Sequence, residues 1–248
     1  MGVRVNTHKL SAFLWSSIVV LVVSTCVGLG FWQLDRAEQK QEREQLLQQW
    51  ASKGRIPFTQ AQRLINSDVD ATGMQTAVSG RVLQHYWLLD NQVYQGRVGY
   101  DVLVLVMPQG ASRWLLVNLG FIVAPTTREQ LPQLQLPTQI TLDDVLIKEG
   151  PLGSITLAQS SPSMGWPKRV QQIDITQIAN QARVPVYNFM AYAQTPSPLV
   201  ATEPHYQPVT MPAEKHIAYA WQWFLIALAA LLIALTAFWR ARRGYDKS

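Results

Sequence analysis

Two apolar runs bracket a polar middle in this chain. No charged residue occurs from Ser11 to Phe31, and none from Ile217 to Trp239. A helix needs about 20 apolar residues to cross about 30 Å of hydrocarbon, and both runs reach that length. The pattern predicts a short leader over residues 1–10, a membrane helix over 11–32, a domain over 33–215, a second membrane helix over 216–239 and a tail over 240–248. The middle segment is long enough to bury a core of its own.

Within the middle, the periodicity changes twice. From Asp35 to Gln49 charges of both signs alternate with Leu34, Leu46, Leu47 and Trp50, which predicts a helix continuing out of the membrane with a wet face. Gly54 and Pro57 end it. Thr59 is expected to cap a short helix through Ile65, closed by Asn66-Ser67-Asp68. Strands are predicted over 76–83, 100–107, 114–123, 139–142 and 145–147, with a hairpin over 86–94 turning at Asp90-Asn91-Gln92. Asp143-Asp144 is expected in a solvated turn. Residues 160–167, with Pro162, Gly165 and Pro167, read as a loop. Asp174 is expected to cap a helix through Arg183, Val186–Ala193 to return as a strand, and 195–212 to run extended toward the second apolar run. These short strands suggest an antiparallel sheet closed into a small barrel or sandwich. The expected fold is therefore a membrane protein, with two transmembrane helices flanking an exported α+β domain.

Charge gives the orientation. The net charge is +5, but Arg4 and Lys9 precede the first run, and Arg240, Arg242, Arg243 and Lys247 follow the second. Basic residues beside membrane helices stay in the cytoplasm. Both termini are expected there, with the domain exported and no nucleic-acid footprint. The single cysteine, Cys26, allows no intrachain disulfide and no Cys-pair metal site. Val23-Ser24-Thr25-Cys26 approaches a lipoprotein cleavage box, but Thr25 departs from it and the apolar run continues past it. The first residues show no Arg- and Ser-rich amphipathic transit peptide, which points to a bacterial inner membrane with a periplasmic domain.

No catalytic constellation is visible: GxSxG, P-loop, HExxH and dinucleotide fingerprints are all missing from the sequence. His85 and His205, each beside a tyrosine, read as structural. The candidate chemistry lies at the two membrane edges. Ser17, Ser24, Thr25 and Gly28 form a small-residue stripe ending at Trp32, suited to close approach of a second helix. His216, Ala220, Trp223 and Ala227 form another. That face offers a nitrogen ligand, two small residues and an aromatic wall, and a flat porphyrin would fit it with its iron on the imidazole. The same stretch also reads as an interfacial aromatic belt, in which Tyr219, Trp221 and Trp223 anchor the helix and His216 is one more amphipathic ring. Composition alone favours the belt.

Four motifs in order resemble the surfeit locus protein 1 (Shy-type) family of cytochrome c oxidase assembly factors. Gly30-Phe31-Trp32-Gln33-Leu34-Asp35-Arg36 is similar to its GxWQxxR signature, and Val98-Gly99-Tyr100 to its VGY strand. Asn118-Leu119-Gly120-Phe121 resembles its N-R-G-W, with Leu119 in place of Arg and Phe121 in place of Trp. His216-Ile217-Ala218-Tyr219-Ala220-Trp221-Gln222-Trp223 resembles its HxxYAxxW. The resemblance implies a non-enzymatic assembly factor that assists delivery or insertion of haem A into the oxidase catalytic subunit. It implies haem-binding residues at His216, Tyr219 and Trp223, with His216 on the iron. Gly30, Trp32, Gln33 and Arg36 are its further motif residues. Implied partners are the cytochrome c oxidase catalytic subunit, haem A synthase and membrane lipid.

Overall fold

A computed structural model of the protein describes residues 7–67, 69–127, 130–150, 152, 165–197, 200–208 and 211–245. Asp68, residues 160–164 of the expected loop, part of the 195–212 segment, and the outermost residues of the leader and tail lie outside the described residues. The chain forms two compact units: residues 1–45 with 209–248, and residues 46–208.

The first unit holds two long helices. Helix α1 runs Thr7–Lys53, its last turns from Leu46 belonging to the second unit, and α4 runs Ala213–Tyr245. Both are long and apolar enough to cross a membrane. They pair antiparallel. The Ala213 amide donates to Glu44 Oε1 at 3.2 Å, His216 Nδ1 lies 2.8 Å from Gln33 Oε1, and Phe224 lies against Gly30. A carboxylate at the start of α4 suits the positive end of its dipole. Cys26, Gly30 and Ala37 are buried on α1, and Ala213, Ala220 and Ala227 at seven-residue spacing on α4. The expected α1 stripe is therefore displaced. Ser24, Thr25 and Gly28 are exposed, and Gly28 has open space around it. The partner helix is met where a Phe224 ring needs the missing Cβ of Gly30, and small size alone did not reveal that face.

The second unit is sheet-rich. Gly54 (φ +66°) ends α1. Ile56–Pro57 forms β1, parallel to Thr76 and Ala77. Helix α2 (Phe58–Ile65) follows directly, with Pro57 at its N-cap and no side-chain cap, so Thr59 does not have the expected capping role. The remaining elements are β2 (Gln75–Tyr94), β3 (Arg97–Pro108), β4 (Trp114–Val123), β5 (Gln139–Lys148), β6 (Lys168–Val170), α3 (Ile175–Ala182) and β7 (Val186–Ala193). Asp174 caps α3 by accepting from the Gln177 amide, and Arg183 ends it in the left-handed conformation, as expected.

Two turns expected from sequence are strand interior. Asp90-Asn91-Gln92 lies inside the single strand β2: Asn91 takes φ +59°, but the ladder only shifts register between Leu89 and Gln92 and continues. A left-handed residue inside a strand is a bulge, and its local signal is the same as a turn's. The hairpin turns instead at Gln95 (φ +50°) and Gly96 (φ +74°), two left-handed residues in sequence. Asp143-Asp144 likewise lies within β5.

Strand pairings run from β2 to β3, β4, β7 and β5, and β5 pairs back with β2. The sheet is mixed, not purely antiparallel, because β7 pairs parallel to β4 and antiparallel to β5. The crossover through α3 brings β7 in along β4's direction, since a parallel neighbour requires a connection longer than a hairpin. The central strands are buried on both faces. Val102, Val104 and Val106 join one apolar cluster with Val117, Leu119 and Phe189, while Leu103 and Leu105 join another with Trp87, Met190 and Ile178. This is why β3 and β4 read as near-continuous apolar runs, although alternate side chains serve different clusters.

Candidate functional site: the helix-pair histidine

The GxWQxxR stretch divides between two faces of α1. Gly30 and Gln33, three residues apart, lie toward α4: Gly30 is buried against Phe224 and Gln33 bonds His216. Trp32 and Arg36, four apart, form an exposed pair with the guanidinium carbon 5.6 Å from the ring centroid. Arg36 also donates to Gln39, which donates to Asp35. The helical period thus sorts one motif into a packing pair and an outward pair.

His216 is the centre of the packing side. Gln33 Oε1 can only accept, so the proton of a neutral ring sits on Nδ1. Nε2 is then a bare lone pair. It is buried and has no hydrogen-bond partner among the described residues. An unsatisfied buried acceptor costs about 1–3 kcal/mol, so it calls for an explanation. The donor set suits a metal that takes imidazole, and the stripe beyond it is small and aromatic: Ala220 and Ala227 are buried and Trp223 half-buried. Tyr219 and Trp221 are exposed. No group of three or more His, Cys, Asp or Glu residues suited to a metal occurs among the described residues.

The second unit contains a polar network that sequence reasoning missed. Asp101 and Asn118 are buried in β3 and β4. Asn118 Nδ2 donates to Asp101 Oδ2 at 2.7 Å, and Asn118 Oδ1 accepts from the Gly120 amide at 2.8 Å. His205 Nε2 lies 2.7 Å from Asp101 Oδ1, with its ring beside Tyr94 and Phe121. The hydrogen bond to Asp101 raises the His205 pKa above the ordinary imidazole value, outweighing partial burial. Burial pushes the Tyr192 phenol well above its ordinary value, with Tyr206 and Asp101 adding to the effect. The usable sequence signal was Asp101 itself, a carboxylate inside an apolar strand, which must find a partner when buried.

His85 stacks on Trp166 at 4.2 Å with rings parallel. Leu119 and Phe121, the two departures from the family pattern, are both buried: Leu119 is in the core with its carbonyl accepting from Thr202, and Phe121 lies under the Arg97 guanidinium. An apolar side chain at position 119 cannot perform any ionic role of an arginine there.

Two helices long and apolar enough to cross a membrane flank a sheet-rich domain, with one histidine held where the helices pair, an arrangement compatible with a membrane protein. The sequence pattern of the SURF1 family matches residues 20–228, which includes both helix-edge motifs and the whole sheet. The chain belongs to the SURF1 family, whose members are associated with cytochrome oxidase assembly and are assembly factors rather than enzymes. No curated protein matches the chain.

Proposed function

We propose that the protein presents haem A to the catalytic subunit of cytochrome c oxidase, with His216 Nε2 as the iron ligand. The observation that supports this reading is the buried lone pair of His216 Nε2, unpaired among the described residues while Nδ1 is held by Gln33. Bound haem would supply an iron that takes an imidazole nitrogen, and His216 would hold it through Nε2. Trp223 would provide an aromatic wall, and the small side chains of Ala220 and Ala227 would let a flat ring approach the helix. Tyr219, exposed one turn from His216, is available to a propionate or to the membrane interface. No turnover step is assigned to any residue; the protein acts by holding and releasing cargo. The basic residues flanking both apolar runs support an inner-membrane location with a periplasmic domain. Haem A synthase, as donor, and the oxidase catalytic subunit, as acceptor, are the partners this role requires.

The test is the Soret band of protein purified from cells that make haem A. His216→Ala is expected to lose most of the bound haem and to remain membrane-inserted, because the change lies at the edge of the apolar run. His85→Ala is expected to keep it. A full Soret band in His216→Ala would transfer the role to a tethered scaffold that grips an oxidase subunit without touching haem.

A further inference from the structure

We infer that Gln33 is a positioning residue for His216: its side-chain carbonyl fixes the ring in the Nδ1-protonated tautomer and so keeps Nε2 free as a ligand. The inference rests on the reading of His216 as a haem ligand, and deepens it by assigning the partner that orients the ring.

The geometry carries the argument. Gln33 Oε1 and His216 Nδ1 are 2.8 Å apart, and 183 residues separate them in sequence. Gln33 is half-buried, three residues beyond Gly30 on the face that meets α4. Gly30 lets the Phe224 ring approach, and the Ala213 amide is held by Glu44. Contacts on either side of the pair along α1 therefore fix where the amide of Gln33 meets the ring. A neutral imidazole without a partner exchanges between two tautomers, only one of which offers Nε2. A carbonyl on Nδ1 selects that tautomer and increases the basicity of the opposite nitrogen. A leucine of similar bulk would fill the space without supplying the acceptor. Glutamate would supply a stronger acceptor at the same reach.

The full-length protein, labelled with nitrogen-15 in histidine and held in lipid nanodiscs without haem, tests the first half. The His216 signals are assigned by their loss in His216→Ala. In the wild type, His216 should be a single tautomer protonated at Nδ1. Gln33→Leu should become a mixture, and Gln33→Glu should keep the wild-type tautomer. Titration with ferric protoporphyrin IX tests the second half. Gln33→Leu should bind about 10–100-fold more weakly, while Gln33→Glu should retain affinity and lower the iron's midpoint potential. A wild-type ring protonated at Nε2, or a Gln33→Leu protein with unchanged tautomer and affinity, overturns the inference. Undiminished haem binding by His216→Ala overturns the ligand reading instead, and the tautomer spectra of the haem-free protein still decide whether Gln33 sets the ring.

Discussion

Asp101 Oδ1 and His205 Nε2 lie 2.7 Å apart, joining a central strand to the segment that follows the last one. The same segment is fastened by three more contacts. Phe121 and Glu203 exchange both backbone hydrogen bonds, and Thr202 donates to the Leu119 carbonyl. Arg97 closes the set with a 2.7 Å ion pair to Glu203. Each anchor on the sheet side comes from β3 or from the bulge in β4, so the segment after β7 is held by the region that carries the family's N-x-G motif.

The His205 bond gives the domain a pH dependence whose sign is fixed. The folded-state pKa of His205 is raised above 6.5, chiefly by its hydrogen bond to Asp101. A group with a raised folded-state pKa contributes stability that is fully present below its unfolded value and is lost as pH rises through the folded value. Urea midpoints should therefore fall as pH increases from about 6.5. His205→Gln should flatten that slope. An unchanged slope in the variant would show that this pair does not set it.

Gly120 explains why a glycine follows Asn118 and Leu119. Its φ is +114°, and a Cβ there would come within 2.6 Å of the Glu203 carbonyl carbon. The ladder is bulged here, with Val102 opposite Gly120 and Leu103 opposite Asn118. Gly120→Ala adds both backbone strain and a collision with the fastened segment. It should destabilise the domain by about 1–3 kcal/mol, measured by urea unfolding, with faster amide exchange at Phe121 and Glu203. Slow exchange at both amides would mean the bulge tolerates a side chain.

How much could be read beforehand depended on whether a feature is local. The strand limits at Trp114 and Val123, the Asp174 cap and the helix running out of the first apolar segment all follow from periodicity and neighbouring residues. The turn at Asn91 was misplaced because left-handed φ serves a bulge as readily as a turn. The parallel pairing of β7 with β4 depends on a crossover that no short pattern encodes. At the site, the HxxYAxxW stretch exposed His216 as a candidate, but its Gln33 partner is 183 residues away. The Asp101–His205 pair is equally nonlocal, so each histidine could be weighed only as a solitary ring.

The proposed membrane orientation rests on the basic residues at the outer ends of both apolar runs. Alkaline phosphatase fused after Gln109, in the exposed connection between β3 and β4, should be active, since that enzyme folds only outside the cytoplasm. The same enzyme fused after Ser248 should be inactive. Activity at the C-terminal fusion would remove the two-span topology and the periplasmic placement of the domain with it.

Gly28 and Gly30 lie two residues apart on one helix, and the structure assigns them opposite tolerance. Gly28 has open space where a side chain would project, whereas a Cβ on Gly30 would collide with the Phe224 ring, whose Cζ would lie 2.7 Å away. The ring is edge-on to Phe31 at 5.5 Å and to Trp221 at 6.3 Å, so displacing it disturbs both contacts. Gly30→Leu should therefore force the helices apart and destabilise their pairing by about 1–3 kcal/mol, the usual cost of overpacking. It should also release His216 from Gln33, because that bond lies one helical turn away on the same face. Gly28→Leu should leave both intact, as its side chain would only add apolar surface facing outward. Thermal melts of the two full-length variants in the same detergent provide the comparison, and complementation of a deletion strain reads the functional consequence as oxidase haem content. If Gly28→Leu is the more damaging of the two, the facing stripe is the Ser24–Gly28 one expected from sequence, and the Gly30–Phe224 contact does not hold the pair together.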